Sequence, residues 1–157
     1  MTSHPASSLD VTFDEGLGEL TSAERDALLE SAQHEIYHRG QVILAESQPN
    51  DCLYVIAQGT VRIERRSSDG TASADGRSSS VLLARLGRGA IFGEVAFLAD
   101  GGAAATVVAE DGVGAFRVCR SAIDALAERD PTFTGRLYRS LAVTLANRLR
   151  STNRRLR

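Results

Sequence analysis

Between Ile36 and Val118 the apolar residues come in short runs separated by turn residues, and this pattern restricts the fold more than any other feature of the chain. The runs are Val42-Ile43-Leu44, Leu53-Tyr54-Val55-Ile56, Val61-Arg62-Ile63, Val81-Leu82-Leu83, Thr106-Val107-Val108 and Ala115-Phe116-Arg117-Val118. Gly40, Pro49-Asn50, Gly59, Gly87, Gly89, Gly93, Gly101-Gly102, Gly112 and Gly114 interrupt them. Runs of this length, bounded by glycine at near-regular spacing, predict many short strands in a β-barrel, sandwich or roll. A chain of 157 residues with 43% hydrophobic content has enough material for one such core. No second enzyme domain fits beside it.

Helical signals bracket the strands. Thr21-Ser22-Ala23-Glu24 is a Thr-x-x-Glu capping box ahead of Ala27, Leu28, Leu29 and Ala32, so a short helix is expected from about Ser22 to Ala32. Residues 1–20 are polar and weakly periodic and are expected to form a flexible lead-in, with residues 21–157 as the domain. Ser121 is placed to cap a short helix over Ala122 to Arg129, and Asp130-Pro131 reads as an N-cap followed by proline at the first helical position. The helix expected over residues 131–154 carries Leu137, Leu141, Leu145 and Leu149 at i+4 steps. Thr144 and Arg148 interrupt a heptad reading of this stripe, which suits packing on the chain's own strands and a dimer seam about equally. The expected fold class is α+β, with the strands flanked by an N-terminal helix and by a short and a long C-terminal helix. Segment 66–80, RSSDGTASADGRSSS, is expected to be a mobile hairpin loop.

Eighteen arginines against 20 acidic residues give a net charge of −2, which excludes a generally basic nucleic-acid binder. The arginines concentrate in residues 131–157, where there are seven and no acid. They are spread around the predicted helix, so contact with phosphates is the most they support and no specific nucleic-acid binding is expected. A solvated helix face, or an acidic protein partner, fits better. Cys52 and Cys119 lie in apolar runs without Cys-x-x-Cys spacing and are expected to be buried, reduced thiols. The N-terminus lacks the basic and apolar regions of a signal peptide, and no apolar run approaches the length of a membrane span. A soluble, cytoplasmic protein is expected.

Three enzymatic patterns bear on whether the chain is a catalyst. His34-Glu35-Ile36-Tyr37-His38 matches the His-Glu-x-x-His of zinc hydrolases, which needs a helix to bring both imidazoles to one metal. β-favouring Ile36-Tyr37, then Gly40 and Val42-Ile43-Leu44, argue for extended chain, where positions four apart are separated by roughly 13 Å at about 3.3 Å per residue. Gly87-Arg88-Gly89-Ala90-Ile91-Phe92-Gly93 spaces its glycines as G-x-G-x-x-x-G and lacks the surrounding βαβ unit of a dinucleotide site. No Gly-x-Ser-x-Gly elbow occurs. The chain is expected not to be an enzyme and to need no cofactor or metal.

The stretch IFGEVAFLADGGAAATVVA, from Ile91 to Ala109, has the chemistry of a phosphate-binding cassette. Gly93 permits close backbone approach, Glu94 can accept from a ribose hydroxyl, and the turn Val95-Ala96-Phe97-Leu98 offers N–H groups to an anion. Together with Arg39-Gly40-Gln41-Val42-Ile43, Asp51-Cys52-Leu53-Tyr54-Val55-Ile56, Gln58-Gly59-Thr60-Val61-Arg62-Ile63, Leu86-Gly87-Arg88-Gly89 and Ala104-Ala105-Thr106-Val107, in this order and spacing, it resembles the cyclic-nucleotide-binding domain family over about residues 20–150.

Of barrel, sandwich and roll, the resemblance implies an antiparallel, jelly-roll-like β-roll. It also implies a ligand site of Phe92, Gly93, Glu94, Val95, Ala103, Ala104, Ala105 and Thr106. Glu94 would take the ribose hydroxyl, the Ala104 N–H would face the cyclic phosphate, and the long C-terminal helix would lid the base and form a homodimer. One departure matters most. Ala103 stands where the family pairs the phosphate with arginine, and Ala104 adds no hydroxyl. Losing such a desolvated, charge-assisted contact costs about 2–4 kcal/mol, or roughly 30- to 1,000-fold in affinity. Cyclic AMP and cyclic GMP are therefore expected to bind weakly or not at all unless another arginine, such as Arg85 or Arg88, reaches in. Ser47, where a turn glycine is common, and Ala90, where aspartate is common, are milder departures. The expectation is a stand-alone regulatory domain that responds to a cyclic nucleotide, to another phosphosugar, or to a protein partner.

Overall fold

A computed structural model describes residues 16–67 and 79–155. Helix α1 (Ser22–Glu30) leads into strands β1 (Gln33–Tyr37), β2 (Val42–Leu44), β3 (Cys52–Gln58), β4 (Val61–Arg66), β5 (Ser80–Leu86) and β6 (Ile91–Phe92). Then come a one-turn helix α2 (Glu94–Leu98), strands β7 (Thr106–Ala109) and β8 (Val113–Cys119), and helices α3 (Arg120–Arg129) and α4 (Pro131–Arg155). The strands form two four-stranded antiparallel sheets, ordered β1-β8-β3-β6 and β2-β7-β4-β5. This is the α+β roll with flanking helices that the family resemblance implies, one of the three architectures that the glycine-punctuated pattern leaves open. Strands β4 and β5 pair from Val61–Leu86 to Arg66–Ser80, and most of the loop joining them lies outside the described residues.

Strand β3 shows why its apolar run does not alternate. Leu53 and Val55 face the helices, packing with Leu28, Val118, Ile123, Phe133, Leu137 and Leu141. Cys52, Tyr54 and Ile56 face the other sheet, packing with Phe92, Val107, Val113 and Ala115. A sheet covered on both faces needs apolar residues at every position, as central strands do in layered folds. The stripe on α4 divides accordingly. Leu137 and Leu141 are fully buried on the chain's own sheet, whereas Leu149 is 62% exposed.

Helix α1 begins at the predicted capping box: Thr21 Oγ1 accepts from the Glu24 amide and Glu24 accepts from the Thr21 amide. Glu24 also receives Arg136 of α4 at 2.6 and 2.8 Å. These hydrogen bonds, those from Arg136 first among them, hold its carboxyl down at about 2 against the pull of burial. The carboxylate thereby ties the first helix to the last.

The structure corrects four expectations. Cys52 and Cys119 are not reduced thiols but a disulfide; they are 67 residues apart in sequence, yet the β3–β8 register sets them directly opposite each other. Helix α3 starts at Arg120, with Cys119 and not Ser121 at its N-cap, because β8 runs straight into it. The strand region begins at Gln33, three residues before Ile36, since β1 pairs with β8 over its whole length. The lead-in ends earlier than expected, because Leu17 and Leu20 are buried in the helical core. Its first 15 residues lie outside the described ones.

Candidate functional site

The cassette is positioned by its backbone. Gly93 has φ +86° as it leaves β6 and caps α2, a conformation that side chains disfavour. An added Cβ there would sit 2.9 Å from the Cys52 carbonyl and 3.0 Å from Asn50 Nδ2. Asn50 fastens this corner by donating to the carbonyls of Cys52 and Gly93. Beneath it the Phe92 ring stacks on Tyr54 with centroids 4.7 Å apart, and burial raises the Tyr54 phenol above its usual range. The other arm is closed by a two-way backbone bond. The Ala103 amide donates to Gln48, and its carbonyl accepts from the Ser47 amide.

Between these arms lies a cavity of about 520 Å³. The roll contributes Leu44, Ile63, Leu83, Leu86 and Val107, the cassette its turn and alanine wall, and α4 the side chains of Thr144, Leu145, Asn147, Arg148, Ser151 and Thr152. Phe92, Gly93, Glu94, Val95, Ala103, Ala104 and Ala105 all line it. Thr106 does not. Its hydroxyl accepts from the Glu46 amide and secures the entry to β7.

Four charged side chains face the cavity: Glu94, Arg65, Arg85 and Arg148. Glu94 is buried, and Arg148 Nη1 donates to its Oε1 at 2.6 Å. Arg148 also donates to the Ile91 carbonyl. Of the two arginines singled out in the sequence, Arg85 is at the rim, paired with Glu110 at 2.8 Å, and Arg88 does not line the cavity. The arginine that reaches Glu94 comes instead from α4. Sequence reasoning missed it, although a signal was present: Thr144 and Arg148 are the polar interruptions of the leucine stripe, and both face the cavity.

The zinc-hydrolase pattern folds otherwise. His34, Glu35, Ile36 and Tyr37 lie on strand β1; His34 packs on Phe116 at 5.2 Å and Glu35 faces Arg117 at 3.6 Å. Among the described residues, the one group with metal-ligand proximity is Asp51, Cys52 and Cys119, whose two sulfurs are bonded to each other.

Comparison with known proteins shows the family and the fold. Residues 34–130 match the cyclic nucleotide-binding domain family. A cAMP-dependent protein kinase regulatory subunit of Debaryomyces hansenii is 35% identical over 124 residues, 74% of this chain and 25% of that protein. A CRP-like cAMP-activated global transcriptional regulator of Mycobacterium tuberculosis is 32% identical over 130 residues, 83% of this chain and 53% of that one. The crystal structure of Thermus thermophilus catabolite activator protein superposes with a TM-score of 0.70 at 30% identity, covering 87% of this chain and 59% of the other. The chain thus spans a quarter to about half of the curated relatives it matches.

Proposed function

Because the chain belongs to the cyclic nucleotide-binding domain family, we propose that it is a non-catalytic regulatory domain whose cavity admits a phosphosugar, with affinity for cyclic AMP and cyclic GMP weakened or lost. The observation that carries this reading is the alanine wall. Ala103 is buried and lines the cavity, and it presents a methyl group at the position where the family resemblance implies the phosphate's arginine. Its amide and carbonyl are both spent on the Ser47–Gln48 turn. The arginine beside the cassette, Arg148, is held by Glu94, the carboxylate proposed to take the ribose hydroxyl. A ligand must therefore disrupt or share an ion pair that a site with its own phosphate arginine would not require. Calorimetric titration of the wild type with both nucleotides tests this. Dissociation constants well above about 1 μM are expected, and tighter binding contradicts the reading.

Arg148 supports a second reading, in which the cation has moved from the loop to α4. In that case Arg148 turns from Glu94 to the phosphate, and closure of α4 over the cavity accompanies binding as a population shift. The two readings separate in Arg148→Ala. Binding abolished by this change favours the relocated cation. Binding unchanged or improved, because Glu94 is released, favours the weakened site.

A further inference from the structure

We infer that Cys52–Cys119 is a thiol–disulfide exchange site that sets the rigidity of the cassette. The disulfide joins β3 to β8 across a register pair whose Cα atoms are 3.9 Å apart. Each cysteine is wired to one end of the cassette. On one side the Cys52 carbonyl accepts from Asn50, which also holds the Gly93 carbonyl ahead of α2. On the other, Cys119 is followed by Arg120, whose guanidinium donates to the Phe97 carbonyl and lies 4.1 Å over the Phe97 ring. The Arg120 amide donates to the Asp51 carbonyl at 3.0 Å, closing the circuit between the two cysteines' neighbours.

The reduced pair has a place in this fold. Asp51 Oδ1 lies 3.4 Å from Cys52 Sγ and would accept a Cys52 thiol. Cys119 stands at the N-cap of the ten-residue α3, where its side chain makes no capping hydrogen bond. Cys52 is buried and Cys119 half-buried, so attack falls on Cys119. A second cavity, of about 450 Å³, is bounded by Asn50, Asp51, Ala96, Asp100, Gly102 and Arg120, and so touches the neighbours of both cysteines and the back of the cassette. The co-reactant is a dithiol. One of its thiolates attacks a cysteine sulfur, the Cys52–Cys119 bond breaks, and the other cysteine leaves as a thiolate that takes a proton. The dithiol's second sulfur then displaces the first cysteine, so two electrons and two protons pass to the protein and the dithiol becomes a cyclic disulfide. Two non-bonded thiols need more room than a bonded pair, so the start of β3 and the end of β8 part beside Asn50 and Arg120, the two residues that hold Gly93 and Phe97.

This inference takes the cassette as the ligand site proposed above, but its test uses no ligand and so fails or succeeds separately. Free thiols are counted before and after dithiothreitol, and hydrogen exchange is followed at the Phe97 and Ala99 amides, which bond to Gly93 and Val95 within α2. Air-exposed protein should show no free thiols and reduced protein two, with exchange at both amides accelerated about threefold or more on reduction. In Cys52→Ser/Cys119→Ser, exchange should match the reduced wild type and ignore the reductant. In Arg120→Gln, thiol counts should still change while the response at Phe97 shrinks. Two free thiols in air-exposed protein, or equal exchange in the oxidised and reduced wild type, would overturn the proposal.

Discussion

Ser47 is a residue whose strain can be read directly. It has φ +69°, in the left-handed region, within the turn that bonds to both backbone groups of Ala103. A non-glycine residue pays roughly 1–2 kcal/mol there, partly offset by the greater freedom of glycine in the unfolded chain. Ser47→Gly should therefore stabilise the protein by about 0.5–1 kcal/mol, read as a higher urea midpoint at unchanged slope. Unchanged or reduced stability would mean that the Ser47 side chain contributes what the backbone loses. The opposite change at the facing position should be damaging, because a Cβ on Gly102 would meet the Ser47 carbonyl at 2.4 Å. The departures at Ser47 and Ala103 thus belong to one turn; the first strains its backbone and the second changes what the turn offers a ligand.

At the scale of elements, the α1–α4 clamp makes stability depend on pH. The Glu24 carboxyl is held at about 2, below the ordinary value of 4.5, chiefly by Arg136. Its contribution is present in full above the unfolded value and is lost as pH falls from about 4.5 towards 2. Glu24→Gln should cost about 1–3 kcal/mol at neutral pH and flatten the acid limb of the stability profile. An unaltered acid limb would show that other carboxylates govern acid unfolding. Elements were also where the sequence was most legible. The capping box, the Pro131 start and the apolar runs are local signals, and the elements they predict, α1, β2 to β5, β7, β8 and α4, appear near their expected places. What local signals lack is register. The disulfide and the start of β1 at Gln33 are both decided by what lies across the sheet on β8, and no residue near Cys52 or Gln33 in the chain reveals it.

Considered as a whole, the molecule spends one helix on two tasks. The first half of α4 completes the core through Phe133, Leu137 and Leu141, and the second half walls the cavity with Arg148 and its neighbours. Tyr138, Val143 and Leu149 leave apolar surface along the same helix, and there a homodimer is proposed. Light scattering should give a dimer mass for the wild type and a monomer for Leu149→Asp; a wild-type monomer would end that proposal. The site itself was half legible. Local sequence located Gly93, Glu94 and the alanine wall, because the cassette is contiguous. It could not pair Glu94 with Arg148, which lies 54 residues away and meets it only once α4 has docked. The defining question is whether the cation absent at Ala103 is what separates this cavity from a tight nucleotide receptor. Titrating cyclic AMP into Ala103→Arg beside the wild type answers it: affinity should rise roughly 30- to 1,000-fold, and equal affinities in the two proteins would contradict the assignment.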